Sequence, residues 1–169
     1  CVSVCYPRTM FRILVVCMGN ICRSPLASSA LQALLAQRRL THAFEVDSAG
    51  TYAGHQGEKP DRRAIAVATA RGYSHINRER ARRVAPKDFE MFDLILAMDR
   101  SNLANLQRLC PANQLHKLHL FLEFASVAEC SEVPDPYYGN DEGFERVMQL
   151  CEQGASGVLD RLAAAPAGR

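Results

Sequence analysis

No stretch of this 169-residue chain approaches the ~20 consecutive apolar residues that a membrane-spanning helix needs. Cys1 to Thr9 lacks the apolar segment of a secretory signal. Charge of one sign is scarce too. A net charge of +2 argues for neither a nucleic acid nor an anionic membrane surface as partner. Internal repeats and low-complexity tracts are missing. The seven cysteines, at 1, 5, 17, 22, 110, 130 and 151, are odd in number and irregularly spaced. They form no Cys-x2-Cys pair or Cys/His set suited to zinc, and no disulfide framework. The expectation is a cytoplasmic protein with reduced thiols, without metal or organic cofactor.

What is present is a regular alternation of short β runs with helical patterns, which predicts a parallel α/β architecture. The length suits one domain, placed at 10–165. Met10-Phe11-Arg12 looks like a natural start, so residues 1–9 read as an N-terminal extension or an expression remnant. Phe11 to Val16 is nearly continuous in apolar residues, as expected of a central strand covered on both faces. A helix is predicted from Ser24 to Arg39, with Ser24 as its N-cap and Pro25 as its first residue. Strands follow at Phe44–Asp47, Phe92–Met98 and within Leu115–Leu122. Helices are predicted at Asp61–Arg71, Asp99–Leu109 and about Asp141–Ala163, the last weakened locally by Gly154 and Gly157. Right-handed crossovers would make this an open sheet with ligands bound beyond the carboxyl ends of its strands.

Eight residues at the end of the first strand concentrate the chemistry: Cys17-Met18-Gly19-Asn20-Ile21-Cys22-Arg23-Ser24. A thiol sits on a strand-to-helix loop, with an arginine six positions later. Backbone N–H groups at such a turn converge on an anion, and the helix dipole adds positive potential. The same field favours a thiolate, lowering a cysteine pKa from about 8.5 to roughly 3.5–7.5. Arg23 can grip two phosphoryl oxygens through its planar fork. A thiolate attacking a phosphate ester also needs an acid for the leaving oxygen. Asp135, between Pro134 and Pro136 on a stiffened loop, is the candidate.

Val16-Cys17-Met18-Gly19-Asn20-Ile21-Cys22-Arg23-Ser24-Pro25 closely resembles the signature of the low-molecular-weight protein tyrosine phosphatases, bacterial type. Asp135-Pro136-Tyr137-Tyr138-Gly139 resembles that family's acid loop. The resemblance spans nearly all of Met10 to Leu162. It implies a four-stranded parallel sheet of order 2-1-3-4, helices on both faces, and phosphotyrosine hydrolysis through a phosphocysteine intermediate. Cys17 would be the nucleophile, Arg23 the phosphate clamp and Asp135 the general acid, then base. Met18, Gly19, Asn20, Ile21 and Cys22 would form the phosphate loop, with Asn20 left-handed. Ser24 would donate to the cysteine sulfur. Ser48, after the second strand, and Asp99 match supporting positions, where a turn or helix-cap role is an equal alternative. Cys22 would form a reversible disulfide with the nucleophile.

Tyr137 and Tyr138 resemble pocket-rim tyrosines. The position of a bulky aromatic wall in many relatives is Gly54 here, followed by His55, with Tyr52 a possible substitute. The family's frequent His-x-Ala-Arg is Glu79-Arg80-Ala81-Arg82, which keeps the arginine and loses the histidine. Arg78, Arg80, Arg82 and Arg83 read as a solvated helix face, with attraction of acidic phosphopeptides as the alternative. Expected partners are phosphotyrosine proteins, among them a bacterial tyrosine kinase, and the expected assembly is a monomer or weak dimer. Two alternatives compete with this reading. An arsenate reductase of the same fold would need a cysteine at the end of the third strand, where Met98-Asp99 stands. A phosphocysteine carrier would need neither Arg23 nor Asp135.

Overall fold

The structure, a computed structural model, describes residues 10–164. The expected N-terminal extension, 1–9, lies outside the described residues. In chain order the elements are β1 (Phe11–Cys17), α1 (Arg23–Gln37), β2 (Phe44–Gly50), α2 (Arg62–Thr69), α3 (Asp88–Met91) and β3 (Leu94–Ala97). After these come α4 (Arg100–Leu109), β4 (Leu118–Leu120), α5 (Phe121–Phe124) and α6 (Asp141–Ala164). The strands form one parallel sheet in the expected order, β2-β1-β3-β4.

β1 is bonded on both edges, and Ile13 to Val16 are fully buried. Its side chains alternate between two cores. Ile13, Val15 and Cys17 join the larger core with α1 and α6; Leu14 and Val16 join the smaller one with Leu106 of α4. Registers Cys17↔Gly50 and Val16↔Ala97 bring three strand ends together at one edge. The site is built there.

Four of the differences from the expectations bear on the site and its packing. α1 begins two residues early: its first residue is Arg23 rather than Pro25, and Cys22 rather than Ser24 stands at the N-cap, with no side-chain cap. Ser24 is therefore inside the first turn, where its hydroxyl serves other partners. Pro25 is third in the helix and harmless, since first-turn N–H groups have no helical acceptor. β2 runs on to Gly50, so Ser48 lies within the strand rather than after it. The arginine run is not a helix face: the chain leaves a 3₁₀ turn (Ser74–Arg78) in extended form, and Arg83 bridges Gly50.

Gly154 and Gly157 are the fourth difference. They are points of close approach rather than weaknesses in α6. A Cβ on Gly154 would overlap the Phe121 ring, and one on Gly157 the Ala125 carbonyl. Alanine would gain ~0.5–1 kcal/mol of helix propensity. Overpacking costs ~1–3 kcal/mol, so the glycines win.

Candidate active site

The loop between β1 and α1 is held from outside by its carbonyl groups. Cys17 O accepts from Thr51 N–H at 3.0 Å and Met18 O from Tyr52 N–H at 2.9 Å. Ile21 O accepts from Asp61 N–H at 2.8 Å and Cys22 O from Leu26 N–H at 3.2 Å. In a trans peptide the N–H points opposite to the C=O. Carbonyls turned outward therefore turn their partner N–H groups inward, toward the space above Cys17. Asn20 completes the turn at φ 58°, in the left-handed region as expected. Gly50 makes the close approach possible: a Cβ there would lie 2.5 Å from Met18 O.

The Cys17 sulfur is 3% exposed and receives Asn20 N–H at 3.2 Å. Ser24 Oγ lies 3.1 Å from it. Proton bookkeeping fixes the direction of that contact. Asn20 Oδ1 accepts from Arg82 N–H at 3.0 Å, so the amide Nδ2 must donate, and it does so to Ser24 Oγ (2.8 Å) and Ser48 Oγ (2.9 Å). Ser48 in turn donates to Glu79 Oε2 at 2.7 Å, since a carboxylate can only accept. Ser24 thus keeps its own proton for the sulfur, which is closer than its other acceptor, Ala49 O, at 3.4 Å.

Glu79 stands where the family's histidine was missed in the sequence, and it meets Ser48 directly. It is buried, with His75 Nε2 at 3.2 Å. Burial alone would raise its pKa. Hydrogen bonds from His75 and Ser48 oppose burial, and its pKa lies below the usual carboxylate value. Arg82 is not solvated: its guanidinium is shared between Asp47 and Asp88, each at 3.0 Å.

Arg23 is 3% exposed and faces into the same space. Its Nη1 donates to Asp99 Oδ2 at 2.6 Å and to Val133 O at 3.2 Å. Burial opposes its charge, but Cys17, Asp99 and Asp135 outweigh burial and raise its pKa further. The Asp99 side chain also caps α4, with Oδ1 accepting from Asn102 N–H, so the two alternatives for this residue coexist in one geometry. Across the opening, Asp135 Oδ2 is 3.6 Å from Arg23 Nη2. Asp135 Oδ1 accepts from Tyr137 N–H at 3.1 Å.

A cleft of about 350 Å³ opens above the sulfur. Its floor is the loop from Cys17 to Arg23, and its walls are Tyr52, His55, Asp135, Tyr137 and Tyr138. Tyr137 and Tyr138 stand edge to face at 4.9 Å. The structure does not bring Gly54 to the wall. The Tyr52 ring lies over it, and a Cβ on Gly54 would overlap that ring. Tyr52 therefore occupies the place of the expected bulky aromatic. Cys22 is buried in the loop. Burial, then Asp61, Cys17 and Asp135, push its pKa up, so it is a neutral thiol.

The site brings together Cys17, Asn20, Ser24, Ser48, Arg23, Asp99 and Asp135, as the sequence led us to expect. It adds Glu79, whose only signal was the altered His-x-Ala-Arg string. It also adds Asp61 and Arg63, seen in the sequence only as the start of a helix. Among the described residues, no group of three or more His, Cys, Asp or Glu could hold a metal ion. No helix there is long and apolar enough to cross a membrane.

A parallel α/β sheet with a hydrogen-bonded thiol, an inward-turned loop and an Arg–Asp pair at its carboxyl edge has the features of a phosphate-handling enzyme. The model of the low molecular weight phosphotyrosine protein phosphatase family matches residues 12–167, and the chain belongs to that family. It is a protein-tyrosine-phosphatase. A Synechocystis relative that carries the low molecular weight protein-tyrosine-phosphatase name is 43% identical over 152 residues, covering 89% of this chain and 96% of the relative. The low molecular weight protein-tyrosine-phosphatase of Streptomyces coelicolor is 38% identical over 152 residues, covering 88% and 92%. Among solved structures, an Entamoeba histolytica protein tyrosine phosphatase with Hepes in its active site superposes with a TM-score of 0.86. It is 37% identical, covering 90% of this chain and 97% of that one. These relatives favour neither the arsenate reductase nor the carrier alternative.

Proposed function

We propose that residues 10–165 form the catalytic domain and cleave phosphotyrosine through a phosphocysteine on Cys17. The observation that carries this is the sulfur itself. It receives two hydrogen bonds at the floor of an anion-receiving loop, facing Arg23 and Asp135. In the first step the Cys17 thiolate attacks phosphorus and the bond to the aryl oxygen breaks. The proton on Asp135 goes to that oxygen, and the phenol leaves. Asp135 Oδ1 is engaged by Tyr137 N–H, so Oδ2, 3.6 Å from Arg23 Nη2, is the oxygen placed to deliver that proton. In the second step water attacks phosphorus, its proton passes to Asp135, and the S–P bond breaks. Ser24 O–H stabilises the departing thiolate. Arg23, with Nη1 committed to Asp99, offers its remaining N–H groups to the equatorial oxygens.

Depth selects the ester. A phosphate must reach a sulfur at the bottom of the cleft, and a phenyl ring provides that length where a serine side chain does not. A Vibrio vulnificus relative, 30% identical with a TM-score of 0.78, was solved with benzylphosphonate, an aryl ligand of this kind. Cys22, as a neutral neighbouring thiol, is the partner we assign for a protective disulfide with Cys17. The work place is a reducing cytoplasm, and an autophosphorylated bacterial tyrosine kinase is the substrate to test first. Phosphotyrosine and phosphoserine peptides of one sequence, assayed without added metal, test the reading. We expect at least a roughly 100-fold preference for the tyrosine ester in kcat/KM, of the size that positioning controls. Equal turnover of both would overturn it.

A further inference from the structure

Arg63, in the first turn of α2, is the second feature that joins the two halves of the site. Its Nε and Nη2 hold the two oxygens of Asp61, each at 3.1 Å. The same guanidinium donates from Nη2 to Tyr137 O at 2.9 Å and from Nη1 to Gly139 O at 3.1 Å. Its Cζ lies 4.5 Å from the centre of the Phe144 ring, over the ring face. Asp61 N–H is already bound to Ile21 O of the phosphate loop. An unbroken run of bonds thus leads from Ile21 through Asp61 and Arg63 to Tyr137. The Tyr137 peptide is held from both sides, its C=O by Arg63 and its N–H by Asp135 Oδ1.

We propose that Arg63 is a positioning residue that fixes the loop carrying Asp135 at a set height above the phosphate loop. It does so by reading two backbone carbonyls, at Tyr137 and Gly139, rather than a side chain of the acid loop. Lysine cannot replace it, because one ammonium has no plane to span Asp61, two carbonyls and a ring. The proposal rests on Asp135 being the general acid.

The test measures kcat/KM, which reports events through phosphocysteine formation, on aryl phosphates from phenyl to dinitrophenyl esters. The proteins are wild type, Arg63→Ala, Arg63→Lys, Asp135→Asn and the Arg63→Ala/Asp135→Asn double variant. With the acid misplaced, both Arg63 variants should lose roughly 10–100-fold on phenyl esters and less than about 3-fold on dinitrophenyl esters. In the Asp135→Asn background, Arg63→Ala should cost nothing further on phenyl esters. Equal losses across the series, a full additional loss in the double variant, or no loss at all would each overturn the proposal. If Asp135→Asn itself shows no dependence on the leaving group, the acid assignment fails, and this proposal with it. Thermal melts accompany the kinetics, and Arg63→Lys carries the test if Arg63→Ala unfolds.

Discussion

The two loops that face each other across the cleft are built on opposite plans. The phosphate loop is largely buried, apart from Met18, and its carbonyls at Cys17, Met18 and Ile21 are each tied to a neighbouring segment, while that of Cys22 is tied into α1. Its side chains enter a closed chain of donors ending on Glu79. The acid loop is exposed, with Tyr138 92% accessible, and side-chain reach from Arg63 and Arg23 supplies much of its anchorage. Binding an anion through backbone N–H groups requires the first plan, because no rotamer can correct a misplaced peptide. Delivering a proton and then letting phenol and water exchange suits the second.

The comparison can be broken most sharply at the sulfur. Cys17→Ser should lower turnover roughly 10⁴–10⁶-fold. Phosphate and vanadate binding should survive, since the loop amides are untouched. Steady turnover by that variant would remove Cys17 as nucleophile, and lost vanadate binding would mean that the loop depends on its sulfur. On the opposite side, Asp135→Ala should cost about 10²–10⁴-fold with poor leaving groups and far less with good ones. A uniform loss would make the acid loop structural after all.

Glu79→Gln sharpens the comparison through stability. A carboxyl held below its ordinary pKa of about 4.3 stabilises the fold above that pH, and the contribution fades as pH falls through the lower folded value. Replacement should cost about 1–3 kcal/mol at pH 7. The gap between wild type and variant should close below about pH 4. Urea midpoints at the two pH values check this; a gap constant with pH would assign the loss to packing alone. The smallest effect belongs to the rim. Tyr52→Ala should raise KM for small aryl phosphates with kcat held, by the factor of about 2–10 that ~0.5–1.5 kcal/mol of ring packing implies. Gly54→Trp should bring no gain, because Tyr52 already lies there. A lower KM in Gly54→Trp would return the wall to position 54.

What was legible in the sequence follows the same division. β1 declared itself because a strand covered on both faces must be apolar throughout. The loop declared itself because a left-handed Asn20 and a first-turn proline are local requirements. Ser24 was misplaced as a cap, since a serine before a helix carries the same local signal whether its hydroxyl turns to the backbone or to a sulfur. Glu79, Asp61 and Arg63 stayed hidden because their partners are remote in sequence: Glu79 meets Ser48, and Arg63 meets carbonyls at 137 and 139. Carbonyl acceptors carry no residue identity, so no spacing pattern announces them. The glycines of α6 misled for a related reason. Propensity is read along the helix, whereas their cause, Phe121 and Ala125, lies across it.

The doubly held Tyr137 peptide has a spectroscopic consequence. Its amide sits in a loop whose neighbouring side chain is almost wholly in water, yet its N–H is engaged by Asp135. Exchange of that proton for deuterium therefore requires the Asp135 carboxylate to release it, and protection there reports how often the acid leaves its place. The isotope clock runs at the residue between the acid and its arginine anchor. It reads how often the catalytic arrangement comes apart in an enzyme that has no substrate to report on.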